Sequence, residues 1–105
     1  MDDSREGERL EKKVNAEGFV DKYLKKHLDN ICDGNVLEAG CGPGMFLEVL
    51  GNNYTNHKIT GIDISRQRIE QANTKLSTLN NADAIQADIY KLPFPDNYFD
   101  FIYKR

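Results

Sequence analysis

Cysteine is scarce: Cys32 and Cys41 are the only two in 105 residues. Their spacing matches no metal-ligand pattern, so no metal site is expected, and both thiols are expected to be reduced in a cytoplasm. Long apolar runs are also missing. No stretch approaches the roughly 18 residues of a membrane span. Met1 to Lys13 is charged and lacks the apolar core of a signal peptide. Basic runs are absent, since Lys25-Lys26-His27 is short, and the net charge is −3, so no nucleic-acid partner is expected. His27 and His57 are read as surface or satisfied side chains, not as bases. No repeat, low-complexity segment or interdomain linker breaks the chain. What remains is a charged but core-forming composition, 39% hydrophobic and 30% charged, sized for one small domain.

Apolar periodicity divides the chain into alternating helices and strands. Met1 to about Gly7 is polar and expected to fray. From Glu8 to about Ile31, Val20, Tyr23, Leu24, His27, Leu28 and Ile31 recur at helical spacings. Gly18 allows either two helices or a bend. Asp33-Gly34-Asn35 ends this segment. Val36 to Ala39 reads as a central strand. Pro43 suits the first turn of the next helix. Phe46, Leu47, Val49 and Leu50 give its inward face, and Gly51 with Asn52-Asn53 its end. Lys58 to Asp63 is a second strand. Ser65 is a plausible N-cap for a helix with an Ile69, Ala72, Leu76 and Leu79 stripe, broken at Asn80-Asn81. Ala84 to Ala87 is a third strand. Leu92-Pro93-Phe94-Pro95-Asp96-Asn97 is loop, because its prolines remove donors. Tyr98 to Tyr103 is a fourth strand. Strands alternating with helices imply an α/β fold with a parallel sheet and right-handed crossovers.

The chemistry gathers at the strand ends. Val36-Leu37-Glu38-Ala39-Gly40-Cys41-Gly42-Pro43-Gly44 joins a strand to a helix through glycines spaced two apart, with an acid ahead of them. Such a turn lets a ligand approach the backbone more closely than a Cβ would allow. Asp63 closes the second strand and Asp88 the third. Acids at three strand ends line one crevice, which is a nucleoside-binding arrangement.

These motifs resemble those of class I S-adenosylmethionine-dependent methyltransferases, more narrowly the small-molecule domain of quinone-biosynthesis methyltransferases and their relatives. The resemblance runs from about Asn35 to Tyr103. It rests on the glycine-rich stretch, on Gly61-Ile62-Asp63-Ile64-Ser65, and on Ala87-Asp88-Ile89 followed by Leu92-Pro93-Phe94-Pro95-Asp96-Asn97-Tyr98-Phe99-Asp100. It implies a Rossmann-like parallel sheet with strand order 3-2-1-4 and helices on both faces. The domain reading is an N-terminal helical segment over 1–33 and an S-adenosylmethionine-binding domain over 34–105.

The resemblance also implies roles. Backbone N–H groups at Gly40, Gly42 and Gly44, with the helix N-terminus behind them, would favour the methionine carboxylate. Glu38 would face the methionine amino group. Asp63 would accept from both ribose hydroxyls. Asp88 would accept from the adenine amino group, with Ile64 and Ile89 sandwiching the ring. Each element has a structural alternative. The glycines serve equally to bring a helix close to a strand, Asp63 and Asp88 to hold turns, and Glu38 to hold its loop.

A dinucleotide fingerprint, G-x-G-x-x-G, fits less well: the third glycine falls at 44 and Met45 takes the place that the fingerprint needs. The implied activity is in-line methyl transfer to a small-molecule acceptor, and no catalytic residue is assigned. The alternative is a non-catalytic module that binds the cofactor or a partner. The resembling family has further strands, so the chain is expected to be truncated after strand four. Strand four is then an edge, open to self-association with another copy.

Overall fold

The computed structural model describes residues 15–31 and 33–104. The expected frayed start at Met1–Gly7, the first turns of the expected helix, Cys32 and Arg105 lie outside them. The chain is helical from 15, passes through a π-helical turn at Val20–Leu24, and continues as α1, Lys25–Asp29. Gly18 therefore breaks nothing; the irregularity is a widened turn just after it. Ala16, Val20, Leu24 and Leu28, four apart, form the buried stripe. Of the expected inward positions, Tyr23 and His27 stay outside. Tyr23 leans on Phe19, with ring centroids 4.9 Å apart, and His27 stacks on Phe101 at 5.2 Å.

The remaining elements are β1 (Asn35–Ala39), α2 (Met45–Asn53), β2 (Lys58–Asp63), α3 (Arg66–Lys75), β3 (Ala82–Gln86) and β4 (Phe101–Lys104). The sheet has the expected order, β3-β2-β1-β4, and every pairing is parallel. Ser65 caps α3 as expected, its hydroxyl oxygen accepting from the Arg68 N–H at 3.3 Å. Pro43 lies in the turn ahead of α2 rather than in its first turn. α2 ends at Asn53, within the expected Gly51-Asn52-Asn53 stop. A Cβ at Gly51 would stand 2.9 Å from Leu79 Cδ1, so this glycine makes room for the neighbouring chain.

Two strands begin elsewhere than expected. β3 starts at Ala82. The Asn81 side-chain amide fixes the approach by donating to the carbonyls of Gly51, Tyr54 and His57. Asn73 of α3 then covers the outer edge of β3, donating to the Ala84 carbonyl and accepting from its N–H, both at 2.9 Å. β4 starts at Phe101 rather than Tyr98. Asn97 turns the chain at a φ of 63°, and the Asp100 carboxylate accepts from the Asn35 N–H at 2.9 Å. Tyr98 and Phe99 instead pack in a loop cluster with Phe94.

Strand alternation separates two faces. Val36, Ile59, Ala82, Ala84 and Tyr103 share a core with buried residues of α1, α2 and α3. Leu37, Ala39 and Ile62 point the other way and meet Ala87, Leu92 and Phe99 of the 87–100 connection. Helices on both faces were expected; among the described residues they lie on one. The crossovers from β1 to β2 and from β2 to β3 run in the same direction, so right-handedness puts α2 and α3 on one side. The β3-to-β4 connection reverses direction and crosses the opposite face as a loop. That loop keeps Leu37 fully buried but leaves Ile102 half exposed.

Gly61 marks the tightest contact between sheet and helices. A Cβ there would fall 2.5 Å from Leu47 Cδ1 and 2.7 Å from Cys41 Cβ. Gly61→Ala is expected to destabilise the fold by about 1–3 kcal/mol through overpacking. Gly18, with nothing within 4 Å of its absent Cβ, should instead gain about 0.5–1 kcal/mol on substitution by alanine. Urea denaturation of both variants checks the pair; equal effects would refute this reading of the two sites.

Candidate functional site

The glycine turn connects β1 to α2 with a left-handed backbone at each glycine. Gly40, Gly42 and Gly44 have φ of 72°, 57° and 93°. A Cβ in such a conformation costs roughly 1–2 kcal/mol per residue, which explains three glycines in five positions. Their surroundings differ. Nothing lies within 4 Å of an added Cβ at Gly40. At Gly42 the Arg68 guanidinium would be 3.3 Å away, and at Gly44 the Ala72 Cβ 2.9 Å away. Gly40 thus opens to solvent, while Gly44 lets α3 press against the turn.

The turn's amides are committed within the protein. Gly40 and Cys41 both donate to the Ile62 carbonyl, at 2.8 and 2.9 Å, and Gly44 donates to Cys41 at 3.2 Å. The Gly42 N–H donates to Asp63 Oδ2 at 3.0 Å. These glycine N–H groups were expected to face a ligand carboxylate, but they shape the turn instead. What the turn offers a ligand is space, at Gly40, and the N-terminus of α2.

Asp63 holds both sides of the crevice. Its other oxygen, Oδ1, accepts from the Ser65 N–H at 2.9 Å. One carboxylate therefore ties the end of β2 to the glycine turn and to the start of α3. Each oxygen keeps a lone pair for a further donor. Asp88 is also engaged, with Oδ1 accepting from the Tyr90 N–H at 2.9 Å. The turn-holding alternatives for both acids are thus realised, and both acids still border the crevice.

A cavity of about 430 Å³ opens at these strand ends. Ala39, Gly40, Ile62, Asp63, Ile64, Ala87, Asp88, Ile89, Tyr90 and Lys104 line it. Of the expected site residues, it brings together Gly40, Asp63, Ile64, Asp88 and Ile89. Ile64 is 75% exposed and Ile89 37%, so two apolar side chains flank the opening without a partner to cover them. Gly42, Gly44 and Glu38 are not on its wall. Glu38 is fully buried on the helix-covered side, in register with Gly61 and Tyr103.

With a glycine-rich turn, a clamped strand-two acid and an apolar-flanked cavity in place, likeness to known proteins becomes decisive. Residues 36–105 match the methyltransferase domain family. The chain belongs to that family. This methyltransferase domain is 31% identical over 103 residues to malonyl-(acyl-carrier protein) O-methyltransferase of Legionella pneumophila, covering 97% of this chain and 34% of that protein. It is similar in structure to the PH0226 protein of Pyrococcus horikoshii OT3, with a TM-score of 0.69 and 30% identity, covering 90% of this chain and 42% of the other. PKMT2 of Rickettsia typhi, solved in complex with AdoHcy, superposes with a TM-score of 0.61 and 29% identity over 68% of this chain and 14% of its own. The chain spans about a third of the length of the curated relatives it matches.

Tyr90 and Lys104 complete the wall of the methyltransferase domain's cavity, and the motifs did not single them out. Tyr90 follows Asp88-Ile89 directly, so its place was within reach of the third motif. Lys104 stands beside Ala39 in the β1–β4 register and emerges only from that pairing.

A second, larger cleft of about 570 Å³ lies at the opposite end of the sheet, walled by Glu17, Val20, Asp21, Lys25, Asp29, Asn53 and Tyr54. Its polar groups satisfy one another. Lys25 Nζ is 2.9 Å from Asp29 Oδ2, and the Tyr54 hydroxyl donates to Asp29 Oδ1 at 3.3 Å. The Lys25 hydrogen bond holds the Asp29 carboxyl below its ordinary range, and partial burial, then Asp29, pushes the Tyr54 phenol up. The Asp29 contribution exists above the unfolded carboxyl pKa and fades as pH falls through the lowered folded value. On a fully solvated pair it is small. This cleft is a solvated ionic groove, away from the glycine turn and the strand-end acids. Among the described residues, no cluster suited to a metal ion occurs, and no helix is long and apolar enough to cross a membrane. His57, read from sequence as surface or satisfied, is buried beside Tyr54, and neither ring nitrogen has a hydrogen-bond partner among the described residues.

Asp63→Ala strands the N–H groups of Gly42 and Ser65. The expected loss is about 2–3 kcal/mol of unfolding free energy, as for hydrogen bonds to a charged acceptor. Asp63→Asn, which keeps one acceptor oxygen, should lose less. Urea melts that place Asp63→Ala within half of that loss would show that the clamp is not structural.

Proposed function

We propose that this chain forms the cofactor-binding part of an S-adenosylmethionine-dependent methyltransferase acting on a small molecule. The carrying observation is the cavity, where a fixed carboxylate with spare lone pairs lies between two uncovered isoleucines. That donor set fits an adenosyl group. Asp63 would accept from the ribose hydroxyls with the oxygen lone pairs its clamp leaves open. Ile64 and Ile89 would cover the two faces of adenine, and Asp88, through the oxygen that Tyr90 does not use, would accept from the adenine amino group. Gly40 would pass beneath the ligand, its absent Cβ leaving the room. Gly42 and Gly44 hold the turn behind it, and Glu38 would act from behind the wall through that turn.

When bound, the cofactor supplies an electrophilic methyl group on a sulfonium. The protein's part is to hold that end in place and exclude water while an acceptor nucleophile approaches in line with the departing sulfur. No general base is assigned among the cavity residues. The name of the Legionella pneumophila relative supports an oxygen nucleophile on a small or carrier-borne acyl group as the acceptor. Residues 34–105 would form the unit that binds the cofactor, preceded by the N-terminal segment 1–33. A reducing cytoplasm suits a cysteine buried in the core as Cys41 is.

Calorimetric titration with S-adenosylhomocysteine tests the reading. Saturable binding is expected, weakened about tenfold or more by Ile64→Asp, as the loss of one buried aliphatic contact implies. Ile64 is exposed, so that variant keeps its fold. A folded chain that shows no binding would overturn the proposal. Binding with no methyl transfer to any acceptor would favour a cofactor-binding module over an enzyme.

A further inference from the structure

We infer that Lys104 is the carboxylate-recognition residue of the cavity, an inference that rests on the cofactor reading above. Lys104 ends β4 in register with Ala39, the residue before Gly40, and its side chain lines the cavity. Among the described residues it is the one cation on that wall. Ile102, two residues earlier on the same face, is apolar and half exposed, so the lysine is not part of a generally charged edge.

Two facts leave Lys104 available. The wall's acids already accept from backbone amides, Asp63 from Gly42 and Ser65, and Asp88 from Tyr90. Among the described residues Lys104 makes no ion pair. A ligand carboxylate entering a cavity walled by Ile62, Ile64, Ala87 and Ile89 loses water and needs a donor. The glycine turn's own amides do not supply one, because Gly40, Cys41, Gly42 and Gly44 donate inward, and no described residue at the N-terminus of α2 lines the cavity. The Lys104 ammonium, a mobile point charge with three donors, does.

The carboxylate has two sources, the amino-acid end of the cofactor or the methyl acceptor, and three titrations separate them. Native protein, Lys104→Met and Lys104→Arg are titrated with S-adenosylhomocysteine, with 5′-methylthioadenosine, which lacks the amino-acid end, and with malonate after saturation with S-adenosylhomocysteine. Lys104→Met that weakens S-adenosylhomocysteine tenfold, leaves methylthioadenosine unchanged and is rescued by arginine assigns Lys104 to the cofactor carboxylate. Lys104→Met that leaves both nucleosides unchanged and abolishes malonate binding assigns it to the acceptor. No change in any titration, or equal weakening of both nucleosides, overturns the role while the cofactor reading stands. Failure of both nucleosides to bind native protein overturns the cofactor reading, and the role of Lys104 with it.

Discussion

The Asp63 carboxylate is the constraint on which the site depends. Its oxygens accept from Gly42 and from Ser65, which belong to different connections. The glycine turn can hold a left-handed backbone because that carboxylate and the Ile62 carbonyl take its N–H donors. α3 can begin at Arg66 because Ser65 is anchored on one side by Asp63 and caps on the other. Once α3 is placed, Ala72 meets Gly44 and closes the turn from behind. A single side chain thus fixes the floor of the cavity and one of its walls, leaving the fixed acceptor itself exposed to whatever enters.

The second constraint is handedness. Order β3-β2-β1 sends successive crossovers the same way, which stacks α2 and α3 with α1 on one face. Reversal at β4 creates the switch point beside β1, where strand ends diverge and a crevice opens. Gly40, just after β1, and Lys104, at the end of the adjacent β4, stand on either side of that reversal.

Much of this was legible in the residues. The Ser65 cap and the meeting of the glycine turn, Asp63 and Asp88 at one crevice follow from short motifs, while strand order and the places of Ile64 and Ile89 follow from the family those motifs resemble. What was not legible depends on distant partners. Asp100 and Asn97 decide where β4 starts, through contacts with Asn35 and a left-handed turn that the Tyr98–Tyr103 periodicity hides. Gly51 with Asn52-Asn53 reads rightly as the helix end, but the gap it leaves for Leu79 depends on a distant partner. Tyr23 and His27 fit the helical stripe by spacing, but the π turn rotates them outward. The glycine amides look like free donors until Ile62 and Asp63 are placed beneath them. Whether Glu38 borders a ligand or a core depends on the alternation of β1, and here it falls on the core side.

The sheet's connectivity also sets an order for its assembly. β4 follows β3 in the chain but pairs with β1 across a sequence separation of 65 residues, the span between Asn35 and Asp100. Pairs formed across helices close short loops first, whereas the β1–β4 ladder must close the longest one. Its reward comes only when the 87–100 loop settles over Leu37. The wall carrying Lys104 is therefore the last to form, and the cavity is complete only when the whole sheet is.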